Sequence, residues 1–223
     1  MTAPYYQDDH VTLYHGDCLE ATEWLSADVL VTDPPYGMAF VSSWTTQKRP
    51  VANDHDATVR DEALAQWALN GDAGMRPAAI FGTWRVPKPA GVRQVLIWDK
   101  RGAGPGMGDL TTAFGTSHEE IYLIGHWPKS AARRGSVITT ESSPSGLTTR
   151  IGHPTPKPVG LMEVLVAAAP RGVVADPFSG SGATLLAARN LGRKAIGVEI
   201  EERYCELIAR RLDQMCLNFG EGA

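Results

Sequence analysis

Asp33-Pro34-Pro35-Tyr36 is the segment of this chain best suited to chemistry. The Asp33 carboxylate and the Pro34 carbonyl can each accept one hydrogen of a planar amine, and two successive prolines hold that carbonyl stiffly. An amine on a nucleobase is a poor nucleophile because its lone pair is delocalised into the ring. Two acceptors on its hydrogens turn that lone pair out of the ring plane, toward a methyl donor. Tyr36 adds a face on which a base can stack, worth about 1–3 kcal/mol. That offsets part of the few kcal/mol needed to extrude a base from a duplex. The competing reading is a proline-rich turn with an incidental tyrosine.

A second segment, Ala175-Asp176-Pro177-Phe178-Ser179-Gly180-Ser181-Gly182-Ala183-Thr184, has the glycines that let backbone amides approach a ligand. It lacks both GxGxxG and the Gly-Lys-Ser/Thr of a phosphate loop, which removes the usual signatures of hydride transfer and nucleotide hydrolysis. A loop of this length favours a smaller, zwitterionic ligand. Alone it is equally a structural strand-to-helix turn. With Glu199 about 20 residues after the glycine turn, placed to accept from ribose hydroxyls, the pair implies adenosine.

Metal and disulfide chemistry have little support. Cys18, Cys205 and Cys216 are far apart without a CxxC spacing, and the six histidines contain no HExxH pair. The three cysteines read as packing residues, and no metal is expected. A formal charge of -4 excludes nucleic-acid binding over the whole surface. One local patch is positive. Between Gly125 and Lys157, Lys129, Arg133, Arg134, Arg150 and Lys157 face the single acid Glu141. A solvated loop is the alternative for this patch.

These segments need elements to position them. The 223 residues, 43% of them hydrophobic, suffice for one well-buried α/β domain. The polar N-terminus and the lack of long apolar runs lead to the expectation of a soluble, cytoplasmic protein without a membrane partner. β-Branched runs predict strands at Val11–Tyr14, Asp28–Thr32, Ala78–Trp84, Val95–Trp98, Glu119–Ile124, Gly172–Ala175 and Lys194–Val198, with a short one at Val137–Thr140. Helical spacing predicts helices at Cys18–Leu25, Arg60–Leu69, Pro158–Ala169, Gly182–Leu191 and Glu201–Met215. Gly37–Val59 reads as a substrate-facing loop, Arg101–Gly108 as a glycine-rich loop and Ser130–Gly152 as largely irregular. Alternation of strands and helices implies βαβ units, a mainly parallel sheet and ligands at the strands' C-terminal edge. Asp33 and the glycine loop both fall at such strand ends.

Together these residues resemble the amino-methylating DNA methyltransferases, and among them the β group. In that group a DPPY segment precedes the cofactor loop, as Asp33–Tyr36 precede Asp176–Gly182 here. A His-Pro-Thr-x-Lys-Pro segment leads into the cofactor half, and His153-Pro154-Thr155-Pro156-Lys157-Pro158 matches it. The resemblance covers nearly the whole chain. It implies a Rossmann-like α/β methyltransferase fold: a seven-stranded, mostly parallel sheet flanked by helices, with permuted motif order. A single domain over 1–223 is expected, with a catalytic half to about 126, a short recognition or linker segment over about 127–152 and a cofactor half from 153.

The resemblance further implies transfer of a methyl group from S-adenosylmethionine to N6 of a flipped adenine in DNA, releasing S-adenosylhomocysteine. Asp33, rather than Ser or Asn, favours adenine. Cytosine N4, an RNA base, a protein glutamine and a non-catalytic DNA-binding relative are the alternatives. Carried over residue by residue, the catalytic set is Asp33, Pro34, Pro35 and Tyr36. The methionine part of the cofactor falls near Asp176, Phe178, Ser179, Gly180 and Ser181, with Gly182 in the same loop. Glu199 takes the ribose, and Asp17 and Cys18 take the adenine, although a helix N-cap is an equal role for Asp17. Lys157 is left between the cofactor carboxylate and a DNA phosphate, and Thr155 resembles a cofactor contact. Lys129, Arg133, Arg134 and Arg150 are expected on DNA phosphates. The family's habits imply a bacterial or phage-encoded enzyme, a possible homodimer and a possible cognate restriction endonuclease. Its departure from the family is the short segment available for target recognition.

Overall fold

A computed structural model describes residues 3–35, 37, 57–69, 76–100, 113–129, 134–140 and 151–217. Tyr36, Arg133, Arg150, most of the expected 37–59 loop and the Arg101–Gly108 loop lie outside the described residues.

Among the described residues nine strands form one sheet: β1 (Tyr6–Gln7), β2 (Val11–His15), β3 (Val29–Thr32), β4 (Ala78–Gly82), β5 (Val92–Asp99), β6 (His118–Ile124), β7 (Val137–Thr139), β8 (Val174–Asp176) and β9 (Ala195–Glu199). Their order is β1-β2-β9-β8-β3-β4-β6-β5-β7. Seven of the expected strands form the middle of this sheet; the expected short strand, β7, and the unforeseen β1 extend its two edges. Strands β2, β9, β8, β3 and β4 run parallel, whereas β6 is antiparallel to both β4 and β5.

The parallel strands are apolar on both faces, as strands covered by helices on each side must be. Val29 and Val31 of β3 join one core with Ala79 and Phe81 of β4, while Leu30 joins the opposite core with Ala78 and Ile80. The first core is closed by helices α2 (Val159–Ala168), α3 (Ala183–Asn190) and α4 (Glu202–Leu217), through Leu161, Leu165, Leu185, Ile208 and Leu212. The second is closed by α1 (Thr58–Leu69) and a 3₁₀ turn at Thr22–Ser26, whose Trp24 stacks on Trp67 at 5.9 Å.

That 3₁₀ turn replaces the helix expected over Cys18–Leu25. The Trp24 indole donates to the Cys18 carbonyl at 2.9 Å, occupying the acceptor that a continuing α-helix needs for residue 22. Asp17 behaves as a cap here, its Oδ1 accepting from the Leu19 amide at 2.9 Å. Among the described residues no helix is long and apolar enough to cross a membrane.

Candidate active site

The sheet fixes the site through one topological feature. From β8 the chain moves outward to β9, and from β3 it moves outward the other way to β4, so β3 and β8 are neighbours at a switch point. Crevices at such points, beyond the strands' C-terminal ends, are where open α/β sheets bind ligands. β3 must stop at Asp33 because Pro34 offers no amide hydrogen to the ladder. β8 runs out at Asp176, where the glycine loop begins. The two strand ends are tied directly, the Thr32 hydroxyl donating to Asp176 Oδ1 at 2.6 Å.

A cleft of about 400 Å³ opens at this edge. Its wall includes Asp33, Pro34 and Pro35 on one side, and Asp176, Phe178, Ser179, Gly180 and Ser181 on the other. Asp17, Cys18, Thr155, Lys157 and Glu199 also line it. The two segments Asp33–Pro35 and Asp176–Ser181, 141 to 148 positions apart in sequence, thus share one cavity. Gly182 stands outside this lining. It adopts φ +77° as the turn into α3, and a Cβ there would lie 2.9 Å from Ile208 Cγ1, so its smallness serves helix packing. Lys129 and Arg134 are exposed and do not line the cleft.

Electrostatically the cleft is dominated by acids. Glu199 is buried, with Oε2 accepting from the Gly180 amide at 2.7 Å and Oε1 from the Glu201 amide at 2.8 Å. Burial outweighs those bonds and pushes its carboxyl up to about 7. Asp176 is likewise raised by burial, to about 6, against the lowering effect of the Thr32 hydroxyl. Burial also pushes the Cys18 thiol up to about 12, so it is an inert wall group. His153 packs on Tyr204 at 4.6 Å and accepts from the Thr155 amide. Desolvation, then the charges of Lys157, Arg203 and Arg211, lower it to about 3, leaving it neutral. A Cβ on Gly180 would sit 3.0 Å from His153 Nε2, so the φ +50° turn at Gly180 lets the loop pass this ring.

Lys157, for which the sequence left two ligands open, is paired within the protein. Its ammonium lies 2.6 Å from Asp33 Oδ2 and 3.1 Å from Glu119 Oε2, and Glu119 pairs in turn with Lys100. Burial alone would lower the Lys157 pKa, but Asp33 and Glu119 more than reverse that and raise it. Glu119 is lowered for the reciprocal reason, Lys157 and Lys100 outweighing its burial. Sequence reasoning missed Glu119 and Lys100. A Glu-Glu pair at the start of an otherwise apolar strand was the available signal. Trp84 and Arg85, just past the end of β4, were missed as well. Both line the cleft, and Trp84 is 66% exposed with the Arg85 guanidinium 5.1 Å from its ring.

The residues present suit a cationic adenosine ligand. Buried carboxylates at Asp176 and Glu199 call for donors or positive charge opposite them, and the cavity size falls in the range of small-molecule sites. Among the described residues no three His, Cys, Asp or Glu side chains cluster to hold a metal ion.

The chain is similar to known proteins. A family model described as DNA methylase, N6_N4_Mtase, matches residues 127–210. The type II methyltransferase M2.LlaDCHI of Lactococcus lactis subsp. cremoris is 24% identical over 96% of this chain and 93% of its own length. The M1.HpyAVI–SAM complex superposes with a TM-score of 0.67 at 24% identity, over 91% of this chain and 99% of that one. The PvuII DNA methyltransferase, described as cytosine-N4-specific, does so with a TM-score of 0.64 at 18% identity, over 93% and 88%. These superpositions speak to the fold.

Proposed function

We propose that the chain is an S-adenosylmethionine-dependent DNA amino-methyltransferase similar to the N6/N4 DNA methylases, and that the amine it methylates is N6 of an adenine extruded from DNA. The observation that carries this reading is the junction of β3 and β8. It brings the Asp33 carboxylate and the Asp176–Ser181 loop into one cleft, with the Thr32–Asp176 bond between them.

S-adenosylmethionine bound in that cleft would supply an electrophilic methyl group, its carbon–sulfur bond breaking as the nitrogen–carbon bond forms, with S-adenosylhomocysteine as the leaving group and the displaced amine proton lost to solvent. Glu199 accepts from ribose hydroxyls, and its carboxylate is pre-aimed by the Gly180 and Glu201 amides. Asp176 and the loop from Phe178 to Ser181 surround the methionine part, while Asp17 and Cys18 border the adenine. Asp33 and the Pro34 carbonyl accept the two hydrogens of the target amine, and Tyr36 stacks on the base. Because these acceptors are fixed in advance, no reorganisation is needed as charge develops on nitrogen.

In this reading residues 127–152 form a short recognition or linker segment within a single methyltransferase domain. Its cations Lys129, Arg133, Arg134 and Arg150 contact phosphates, holding the duplex in register without reading sequence. A homodimer and a cognate restriction endonuclease are the partners this reading allows, in the cytoplasm of a bacterium or phage host.

The test is direct. Unmethylated plasmid DNA is incubated with the chain and methyl-labelled S-adenosylmethionine, digested to nucleosides and separated. N6-methyladenine is the expected product. N4-methylcytosine would overturn the adenine assignment alone, and the absence of both bases would overturn the activity.

A further inference from the structure

A buried ammonium is tolerated only when paired, so the partners of Lys157 report what it is for. Lys157 is 8% exposed and immediately precedes Pro158, the N-cap of α2, so its stem is anchored where a helix starts. The Phe81 ring lies 5.0 Å from its Nζ. From there the ammonium reaches Asp33 at 2.6 Å and Glu119 at 3.1 Å, and Lys100 backs Glu119. The result is a row of alternating sign across four strand or helix ends: Asp33, Lys157, Glu119, Lys100. The row is neutral as a whole, which limits the cost of enclosing it.

We propose that Lys157, braced by Glu119 and Lys100, is a positioning residue that fixes the Asp33 carboxylate toward the cleft as a permanent hydrogen-bond acceptor, rather than a ligand of the cofactor's carboxylate. This inference rests on the methyl transfer proposed above. Asp33 leaves its strand half-buried, 22% exposed, and a carboxylate so placed can turn toward water unless something holds it. Its protonated form would be worse than misplaced, because a carboxylic acid presents a donor to the very hydrogens it must accept. An ammonium at 2.6 Å prevents both. The other titratable groups facing the pair are Asp176, which feels Asp33, and His153, which feels Lys157 and is neutral. Neither supplies a competing positive charge.

The experiment compares wild type with Lys157→Met, Lys157→Arg and the double variant Lys157→Met/Glu119→Gln. Methyl transfer to unmethylated plasmid DNA gives kcat and KM from pH 5 to 9, and titration calorimetry gives the affinity for S-adenosylmethionine. Lys157→Met should lose about a hundredfold in kcat, the scale of removing one preorganised group. Its affinity for S-adenosylmethionine should stay within about threefold, and the acid limb of its kcat profile should move up by about one pH unit or more. Lys157→Arg, which keeps a charged fork on the carboxylate, should recover about tenfold of the lost rate. The double variant removes one charge of each sign, so it should fold even where Lys157→Met does not, and it should remain slow. A Lys157→Met enzyme with weakened cofactor binding and an unmoved acid limb would overturn the proposal in favour of a cofactor contact. So would wild-type turnover in the double variant. A wild-type chain inactive on DNA would instead overturn the underlying reading, taking the proposal with it, whereas an active wild type with an equally active Lys157→Met sinks the proposal alone.

Discussion

Lowering the pH from 7.5 to 6 should weaken the binding of S-adenosylmethionine about tenfold, and the main cause is Glu199. Burial raises this carboxyl to about 7, so in the ligand-free protein at pH 6 it is about nine-tenths protonated. Ribose hydroxyls need the carboxylate, so binding there must expel a proton, at about 1.4 kcal/mol for each pH unit below the pKa. The sign follows from the direction of the shift: a raised acid favours the protonated, ligand-free form, and affinity grows as pH rises through about 7. Asp176, raised to about 6, joins at lower pH. By pH 5 the two together should weaken binding about a thousandfold, with the slope of log affinity against pH approaching two. The ligand's own α-amino group stays charged below about 7.7 and does not interfere in this window. Titration calorimetry at pH 5, 6, 7 and 7.5, in buffers of different ionisation enthalpy, reads both the affinity and the protons released. In Glu199→Gln most of the tenfold drop between pH 7.5 and 6 should vanish while the Asp176 limb at lower pH persists. An affinity that is flat from pH 5 to 7.5, or a Gln variant with the wild-type slope between 6 and 7, refutes the reasoning.

Asp33→Ala should lower kcat by about a thousandfold or more while leaving the affinity for S-adenosylmethionine nearly intact, because its partner is the target amine; calorimetry beside the labelled-methyl assay separates the two. Gly182→Ala should cost about 2–4 kcal/mol, combining a left-handed φ with a clash against the buried Ile208, and lower Tm by roughly 5–15 °C in calorimetry. Cofactor affinity in that variant should hold, since Gly182 does not line the cleft. Arg134→Ala and Lys129→Ala should each weaken binding of all duplex sequences alike and reduce the slope of log affinity against log salt by about one; loss on one sequence only would assign them a reading role.

The parts of the site legible in sequence were those carried by contiguous residues. Asp33-Pro34-Pro35 declares a strand end as well as an acceptor pair, and the loop after Asp176 declares a strand-to-helix turn by its glycines. Glu199 was legible because its spacing from that turn follows from one βαβ unit. The rest depended on pairings that no local pattern encodes. Lys157 and Asp33 are 124 residues apart, and their contact arises only because α2 starts beside the end of β3. Glu119 looked like an ordinary strand residue, since its ammonium partners come from two other elements. The segment after Asp17 was misread as a helix because a tertiary bond from the Trp24 indole decided its form. The start of β5 was placed too late because Arg93 and Gln94 are exposed beside a bulge and break the apolar run.

The distribution of charge bears on how an acidic protein would work on a polyanion, as the proposed function requires. Asp17, Asp33, Glu119, Glu120, Asp176, Glu199 and Glu201 all line the cleft, against Arg85, Lys100 and Lys157. Of these cations Lys100 and Lys157 are committed to carboxylates within the wall. The interior therefore suits a sulfonium cation and a neutral amine, and it repels phosphate. Cations outside that lining, Lys88, Lys129 and Arg134, are exposed. Screening confines each field to about 8 Å at physiological salt, so the two regions act separately. On the proposed function, a duplex would be held at the rim by its backbone, and only a base swung away from the phosphates would descend to Asp33. The carboxylates proposed to hold the cofactor would then also act as a filter, making extrusion of the base an electrostatic as well as a steric requirement.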